Sequence, residues 1–157
     1  MSADARRSTP TPAQLRVWRD YIETAGALQR MLASRLQTES GMSIGDYVVL
    51  LALSEASAHE LRSSELADAV GWERSRLSHH LGRMQRRGLI DRESGRGVRV
   101  SATSAGLELF RAGSVPHLRA IKSLFIDALT PEQLEALGAA AAALRGAATP
   151  DTPGAEG

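Results

Sequence analysis

Apolar residues recur every three or four positions from Leu15 to Leu36, which predicts a long amphipathic helix that ends near residue 39. Thr11 can cap this helix, Pro12 suits its first position, and Gln14 can close a capping box. A helix of about 25 residues is long for a small globular protein, so we expect it to pack along a partner helix. The stripe consists of Leu15, Trp18, Ile22, Ala25, Leu28, Leu32 and Leu36.

Breaks and caps predict three further helical segments outside the middle of the chain. Ser40 and Gly41 end the first helix, and residues 43–46 begin an apolar second helix. Residues 55–60 are expected to form a loop. A helical pattern resumes after residue 103 and contains Pro116, which is expected to kink that helix or split it in two. Thr130 caps a last helix, whose apolar positions are Leu134, Leu137, Ala141 and Leu144.

Residues 61–103 contain a denser series of short elements. Ser63 or Ser64 can cap a short helix, and Gly71 can adopt the left-handed conformation that ends one. A second helix follows and stops at Gly88. Residues 89–93 and 98–103 then form two short strands around a turn at residues 94–97. This order of helix, glycine turn, helix and hairpin predicts a winged helix-turn-helix.

The second helix of this motif carries two neighbouring stripes. On a wheel of about 100° per residue, Leu77, Leu81 and Met84 share one side and can anchor the helix in a core. We expect the basic stripe beside them to face outwards. The planar guanidinium of arginine suits phosphate groups and the O6/N7 edge of guanine, so the pattern indicates a helix that reads the DNA major groove. The stripe consists of Arg76, His79, His80, Arg83 and Arg87.

Positive charge is concentrated in this part of the chain. Residues 74–99 include eight arginines and two acidic residues, a net charge of +6, whereas all 157 residues together carry only +1. Arg96 lies at the expected tip of the hairpin. A basic helix is often only a solvated surface. Because this one lies in a winged helix-turn-helix, the pattern favours DNA binding.

These residues resemble the MarR family of transcriptional regulators, and the resemblance extends over roughly residues 15–145. It implies a mainly α fold with a small wing of two to three β-strands, in a homodimer whose terminal helices form the dimerisation platform. Many wings of the family have a longer turn with an Asp-x-Arg element, and here Arg96 is the only arginine at the tip. The matching motifs are Ser64-Glu-Leu-Ala67, Ser75-Arg-Leu-Ser78, Arg87-Gly-Leu-Ile90 and Thr103-Ser-Ala-Gly106.

The predicted DNA contacts differ in role. The stripe from Arg76 to Arg83 is expected to read base edges, with two serines as shorter contacts. Arg74 is expected to have a phosphate-binding or structural role, and Arg96 to contact phosphate or the minor groove. Protonation of His79 and His80 should raise DNA affinity as the pH falls from about 7.5 to 6. The full set is Ser64, Arg74, Ser75, Arg76, Ser78, His79, His80, Arg83, Arg87, Arg96 and Arg99.

The resemblance also implies a small-molecule cleft between the dimer helices and the winged domain. An apolar cleft with a few polar groups suits an aromatic or phenolic ligand. The same side chains are also typical of an ordinary core or interface, and His117 could instead bond a backbone carbonyl that Pro116 frees. The predicted lining is Trp18, Tyr21, Ile22, Met42, Tyr47 and His117.

Catalytic and metal chemistry find little support in the sequence. The chain has no cysteine, which excludes disulfides and thiolate metal sites. His79 and His80 are adjacent and diverge on a helix, so they cannot share a metal ion. Neither a glycine-rich phosphate loop nor a nucleophile elbow is present, and no apolar run suggests a membrane span or signal peptide. We expect a cytoplasmic protein that is not an enzyme and needs no metal or cofactor.

The sequence therefore predicts a homodimeric regulator of double-stranded DNA, most consistent with a repressor of a pseudo-palindromic operator that a small aromatic ligand releases. Two alternatives stay open, a winged-helix module that docks on an acidic protein and a DNA-binding regulator without a ligand. The expected organisation is a disordered arm at residues 1–10, a dimerisation helix at 11–40, the winged helix-turn-helix at 41–103, dimerisation helices at 104–145 and a disordered tail at 146–157.

Overall fold

The computed structural model describes residues 9–148 and contains the expected long first helix, α1, at Pro12–Ser40. The Thr11 hydroxyl accepts from the Gln14 N–H at 3.2 Å, and the Gln14 side chain accepts from the Thr11 N–H at 2.8 Å. This reciprocal cap confirms the predicted start. Gly41 ends the helix with a φ of 69°. Residues 1–8 and 149–157, for which we predicted a disordered arm and tail, lie outside the described residues.

The predicted capping residue is present at the start of the second helix but not at the start of the third. Helix α2 spans Ile44–Glu55, and Ser43 and Asp46 form the expected capping box, with both bonds at 3.1 Å. Helix α3 spans Ser63–Val70. The prediction of a serine cap for α3 was wrong, because Arg62 occupies the cap position and its N–H donates to the Glu65 carboxylate at 2.8 Å.

Helix α4, at Arg74–Arg86, follows a turn in which Gly71 adopts the predicted left-handed conformation, with a φ of 67°. Strands β2 (Ile90–Gly95) and β3 (Gly97–Ala102) then form the wing. The wing turn is tighter than predicted, because Gly95 already pairs with Gly97 and only Arg96 lies between the strands.

A third strand completes the antiparallel sheet, in the order β1-β3-β2. Strand β1 spans Glu60–Arg62, and it follows a 3-10 turn at Ser57–His59. Residues 55–60 were predicted to be a loop, so this region has more regular structure than expected. Glu60 lies opposite Ser101 of β3, which ties the chain before α3 to the wing.

Helix α5 spans Ser104–Ile121, and Pro116 does not split it. Thr103 caps the helix: its hydroxyl accepts from the Gly106 N–H at 3.0 Å and donates to the Gly88 carbonyl at 2.6 Å. A Cβ atom at Gly106 would lie 2.1 Å from the Leu89 carbonyl oxygen. The helix can therefore approach the end of α4 this closely only because residue 106 is a glycine.

The chain divides into two units between Ala120 and Ile121. The second unit consists of a π-helical turn at Lys122–Ile126 and helix α6 at Pro131–Ala148, which begins with the predicted Thr130 cap. Helix α6 includes residues 146–148, which we had assigned to the disordered tail. None of the described residues of this unit, 121–148, is buried.

The core of the first unit is formed by α2, α3, α4 and the wing, with contributions from Leu50, Leu66 and Ile90. Helix α1 contributes only its C-terminal part, since Leu36 is its one buried residue. Its N-terminal part leaves Trp18 and other apolar side chains exposed. Within residues 9–148, no helix has both the length and the apolar character needed to cross a bilayer.

Candidate nucleic-acid interface

Helix α4 packs on the core through the predicted apolar stripe. Leu77, Leu81 and Met84 are buried, so the opposite side of the helix is the one available to a ligand. Four residues lie within about 50° of that opposite direction on a helical wheel, and we call them the outer face of α4. The outer face consists of Ser75, His79, Gly82 and Arg86.

The basic stripe predicted beside the anchor does not face outwards as a unit. His80 is only 8% exposed, so the prediction that it reads base edges was wrong. Arg76 is exposed but stacks on Trp72, with its Cζ atom 4.3 Å from the ring centroid. Arg83 and Arg87 are also exposed, and both contact a buried polar network between α4 and α2.

Asp46 of α2 is the centre of this network and is 2% exposed. Its Oδ2 atom accepts from the Arg87 guanidinium at 2.7 Å and from the Ser43 N–H at 3.1 Å. Its Oδ1 atom lies 3.1 Å from His80 Nε2. Burial alone would raise the pKa of Asp46, but the hydrogen bonds and charge of Arg87 and the bonds from Ser43 hold it below its usual value. An ionised carboxylate therefore joins the two helices.

The hydrogen bonds of His80 determine its protonation state. Arg83 NH2 lies 2.7 Å from His80 Nδ1. A guanidinium can only donate, so Nδ1 accepts, and the ring proton sits on Nε2 and is donated to Asp46. Burial lowers the pKa of His80, and Arg83 and Arg87 reinforce this effect against the opposing charge of Asp46. The imidazole is therefore neutral near pH 7.

Gly45 makes room for His80 at the crossing of α2 and α4. A Cβ atom at Gly45 would lie 2.7 Å from His80 Cε1 and 3.2 Å from Trp72 Cη2. Trp72 meets the His80 ring edge-on, at 5.3 Å between centroids. The imidazole is thus enclosed by α2 on one side and by the turn before α4 on the other.

Sequence reasoning missed two residues of this site. Asp46 was recognised only as a helix cap, because its partners His80 and Arg87 are 34 and 41 positions away. Arg86 was not among the predicted contacts, although it lies on the outer face of α4. The signal for Arg86 was present in the helical wheel and would have emerged from measuring angles from the centre of the apolar stripe.

The wing contributes further basic groups. Arg96 is exposed at the tip, as predicted. Arg92 Nε donates to Gln85 Oε1 at 2.8 Å, which links β2 to α4. Arg99 forms an ion pair with Glu60 of β1, with its Nε 2.6 Å from the carboxylate, so its charge is largely compensated. The other predicted contacts that are exposed are Ser64, Arg74, Ser75, Ser78 and His79.

A cavity of about 400 Å³ lies next to the start of α4. Leu32 of α1 and Val48 of α2 provide apolar walls, while Gln29, Arg76 and His117 bring polar groups. Trp72 also lines it. The sequence had placed a cleft between the first helix, the second helix and the winged domain, and this cavity lies among those elements.

Most of the predicted lining lies elsewhere. Met42 is fully buried in the core, and Tyr47 packs in the core against Phe110 and His117, at 5.5 and 4.5 Å between centroids. Neither lines the cavity, because both side chains are used in packing. The other three predicted residues of α1 are exposed and do not line the cavity: Trp18, Tyr21 and Ile22.

His117 is the one predicted ligand residue that does line the cavity. It is 5% exposed, and its Nδ1 atom has no hydrogen-bond partner within the described residues. Nδ1 therefore does not make the bond to a backbone carbonyl freed by Pro116 that the sequence allowed for His117. Burial lowers the pKa of His117. A neutral imidazole with an unused nitrogen at a cavity wall is suited to accept or donate one hydrogen bond.

The described residues hold no group of three histidine or acidic side chains that could bind a metal ion. The exposed arginines of α4 and the wing present hydrogen-bond donors and positive charge. Such a surface can bind phosphates and base edges.

Comparison with known proteins identifies relatives of this arrangement. A family model described as bacterial regulatory protein, arsR family, matches residues 48–92, which include α2, α3, α4 and the start of the wing. No curated protein sequence matches the chain.

Several solved structures are similar over most of the chain. Sco3205 from Streptomyces coelicolor, a MarR family transcriptional regulator in complex with DNA, is 34% identical, covers 94% of this chain and 96% of its own, and superposes with a TM-score of 0.86. AbsC, a MarR family transcriptional regulator from the same organism, is 35% identical over 88% of this chain and 98% of its own, with a TM-score of 0.80. The organohalide-sensing regulator RdhR-CbdbA1625, in its 2,4-dichlorophenol-bound form, shares the fold at 19% identity, over 92% of this chain and 89% of its own, with a TM-score of 0.77.

Proposed function

Because the chain belongs to the MarR family of transcriptional regulators and is therefore a DNA-binding regulator rather than an enzyme, we propose that it is a homodimeric repressor of a pseudo-palindromic operator. The observation that carries this proposal is the basic outer face of α4, exposed opposite a buried apolar anchor. Two such helices in a dimer would enter successive major grooves, about 34–36 Å apart. A dimer bound in this way would occupy the promoter and block its use.

Exposed apolar side chains support the dimer. Trp18, Tyr21 and Ile22 of α1 are 61%, 47% and 46% exposed in the single chain. The second unit has no buried residue among positions 121–148, although it contains Leu134 and Leu144. Burial of this much apolar surface against a partner would stabilise the protein, because it removes that surface from water. A second copy of the chain is the partner that a family of symmetric regulators suggests.

The outer face and the wing suggest a division of labour on DNA. We expect Arg86 and His79 to reach base edges, with Ser75 and Ser78 as shorter contacts. Arg83 lies at the border of the outer face, and Arg74, Arg76 and Arg87 are better suited to phosphates. Arg96 at the wing tip would contact the backbone or the minor groove. Because Arg99 is paired with Glu60, we expect it to contribute little.

The cavity beside α4 supports regulation by a small molecule. Its apolar walls and few polar groups suit an aromatic carboxylate or phenol. Arg76 could bind the anionic group, and the unused Nδ1 of His117 could bond a ring substituent. Both Trp72 and Arg76 line the cavity; Arg76 lies in the first turn of α4 and Trp72 in the turn just before it. A ligand that displaced Arg76 from Trp72 would therefore disturb the helix that reads DNA.

Selection of binding sites from a random pool of DNA duplexes, with the purified full chain, tests the proposal. We expect an inverted-repeat motif with half-sites about one helical turn apart, and an affinity that falls steeply with salt. A protein-docking module would enrich no motif and would bind duplexes weakly at physiological salt. Lack of an enriched motif would therefore contradict the proposed function.

A further inference from the structure

We propose that Asp46 and His80 are positioning residues for operator recognition: they fix the rotation of α4, and His80 holds Arg83 only while its ring is unprotonated. The inference rests on the DNA-binding function of α4. Neither residue is placed to touch DNA, because they are 2% and 8% exposed. Their effect would be exerted through Arg83, Arg87 and the outer face of α4.

The geometry shows how one carboxylate controls a helix. Asp46 contacts α4 at residues 80 and 87, two turns apart, with distances of 3.1 and 2.7 Å. Contacts in the middle of α4 and at its C-terminal cap, both on one side of the helix, resist its rotation about its own axis. They therefore help to keep Arg86 and His79 pointing away from the core. Gly45 allows this close approach, since any side chain at residue 45 would collide with the His80 ring.

Arg83 is held by the other nitrogen of the same imidazole. The 2.7 Å contact between Arg83 NH2 and His80 Nδ1 requires an acceptor at Nδ1. A second proton on the ring would put an N–H opposite the guanidinium N–H groups, and would bring two positive charges together. The bond to Asp46 would survive and strengthen. Arg83, with an exposed side chain, would be the group that leaves.

The charges around His80 favour the unprotonated ring. Asp46 of α2 attracts a proton, whereas Arg83 and Arg87 of α4 repel it, and Trp72 presents only an uncharged ring edge. Burial adds to the repulsion. Acidification below the ordinary histidine range would therefore release Arg83, and operator recognition should weaken. This direction is opposite to the rise in affinity that the sequence predicted for His80.

The test compares His79→Gln with His80→Gln, two adjacent substitutions on one helix. Both proteins are titrated with the selected operator and with a random-sequence duplex at pH 7.5 and pH 5.5 and constant salt. In His79→Gln, His80 is the only histidine left in α4. We expect its operator affinity to fall on acidification, because protonation of His80 removes the acceptor that holds Arg83. Its affinity for random duplex should not fall, because the net positive charge increases.

His80→Gln should remove this dependence. A glutamine side chain can donate to Asp46 and accept from Arg83, but it does not titrate. We expect operator affinity in His80→Gln to change by no more than about twofold between pH 7.5 and pH 5.5, whatever its value at pH 7.5. A purely structural role of His80 would instead change affinity for both duplexes at every pH.

Two results would overturn the inference. One is an operator affinity in His79→Gln that does not fall at pH 5.5. The other is an equal fall in His80→Gln. Failure of the proposed function would be recognised separately, because the parent protein would then select no operator at pH 7.5. Circular dichroism at pH 5.5 shows whether each protein is folded, and a comparison of the two duplexes within one folded protein keeps the test valid.

Discussion

At the scale of single residues, the buried carboxylate of Asp46 makes the hydrogen bonds that fix α4 against α2. Asp46 accepts hydrogen bonds from Ser43, His80 and Arg87, so it serves as helix cap and inter-helix link at once. The neutral His80 beside it has a lowered pKa. The folded chain therefore binds fewer protons there than the unfolded chain, and this part of the stability is lost as the pH falls below about 6.5.

Replacement of Asp46 by alanine should destabilise the first unit by about 3 kcal/mol, because Arg87, His80 and the Ser43 N–H all lose their acceptor. Urea unfolding at a fixed protein concentration measures the change. Ser43→Ala is the matched control, since it removes only the side-chain cap of the same helix and should cost about 1 kcal/mol. Equal effects of the two substitutions would show that the links from Asp46 to α4 add nothing to stability.

At the scale of elements, helix α4 and the wing present arginines in two different settings. Arg86 lies on the outer face of α4, whereas Arg96 lies alone at the tip between β2 and β3. A helix in the major groove meets base edges that differ between sequences. A wing tip meets mainly the sugar-phosphate backbone, which is the same in all sequences.

Arg86→Ala and Arg96→Ala form a matched pair that tests this difference. Arg86→Ala should relax base preference at one symmetric pair of operator positions, with a loss of about 1–3 kcal/mol in discrimination. Arg96→Ala should weaken all duplexes alike and reduce the salt slope by about one unit. Binding-site selection and salt titration of both variants provide the measurements. If Arg96→Ala changed the preferred base and Arg86→Ala did not, the two roles would have to be exchanged.

The cavity also belongs to this scale, because α1, α2, α5 and the start of α4 enclose it. Trp72 lines it and Trp18 does not, so a Trp18→Phe protein has one tryptophan that reports on the cavity. Millimolar salicylate should quench its fluorescence and weaken operator binding together. His117→Phe in the same background should reduce salicylate affinity about tenfold, since the free Nδ1 is lost.

Tyr21→Phe is the control for the cavity, because Tyr21 is exposed on α1 and outside the lining. It should leave salicylate affinity unchanged. Quenching that His117→Phe and Tyr21→Phe affect equally would place the ligand elsewhere. Absence of quenching across a panel of aromatic acids would leave the protein as a regulator without a ligand.

At the scale of the whole molecule, the single chain leaves much of its apolar surface uncovered. The exposed residues at the start of α1 and the lack of buried residues among positions 121–148 both support the proposed dimer. We expect the protein to sediment as a dimer at micromolar concentration. Substitution of Trp18 and Ile22 by glutamate should produce monomers, because the charges would be buried without partners at the dimer interface.

Gln37→Glu is the control for this experiment. Gln37 is exposed on α1, and its replacement adds one glutamate carboxylate outside the apolar stripe. Its sedimentation should match that of the parent. The double variant should keep its helical circular dichroism, because both side chains are already exposed in the single chain. A double variant that stays dimeric would contradict a role of α1 in the interface, and a monomeric parent would contradict the dimer itself.

Features that depend on neighbouring residues were determined by the sequence alone. Helix starts at Thr11, Ser43 and Thr130 were predicted correctly, because each cap bonds a residue only three positions away. The left-handed turns at Gly71 and Gly88 follow from the absence of a side chain. The apolar periodicity of α4 identified its buried anchor in the same way, and the order of helices and strands then followed.

Features that depend on distant partners were decided only by the tertiary structure. His80 and Arg87 lie beside the apolar stripe of α4. Both contact the carboxylate of Asp46 on α2, which precedes them by 34 and 41 positions in the sequence. Strand β1 forms because its backbone pairs with β3, where Val100 lies opposite Leu61, 39 positions later in the chain. The ion pair between Arg99 and Glu60 joins the same two strands. Periodicity gives the direction of each side chain within its helix. Which neighbour it meets depends on how helices pack, and no local pattern encodes that.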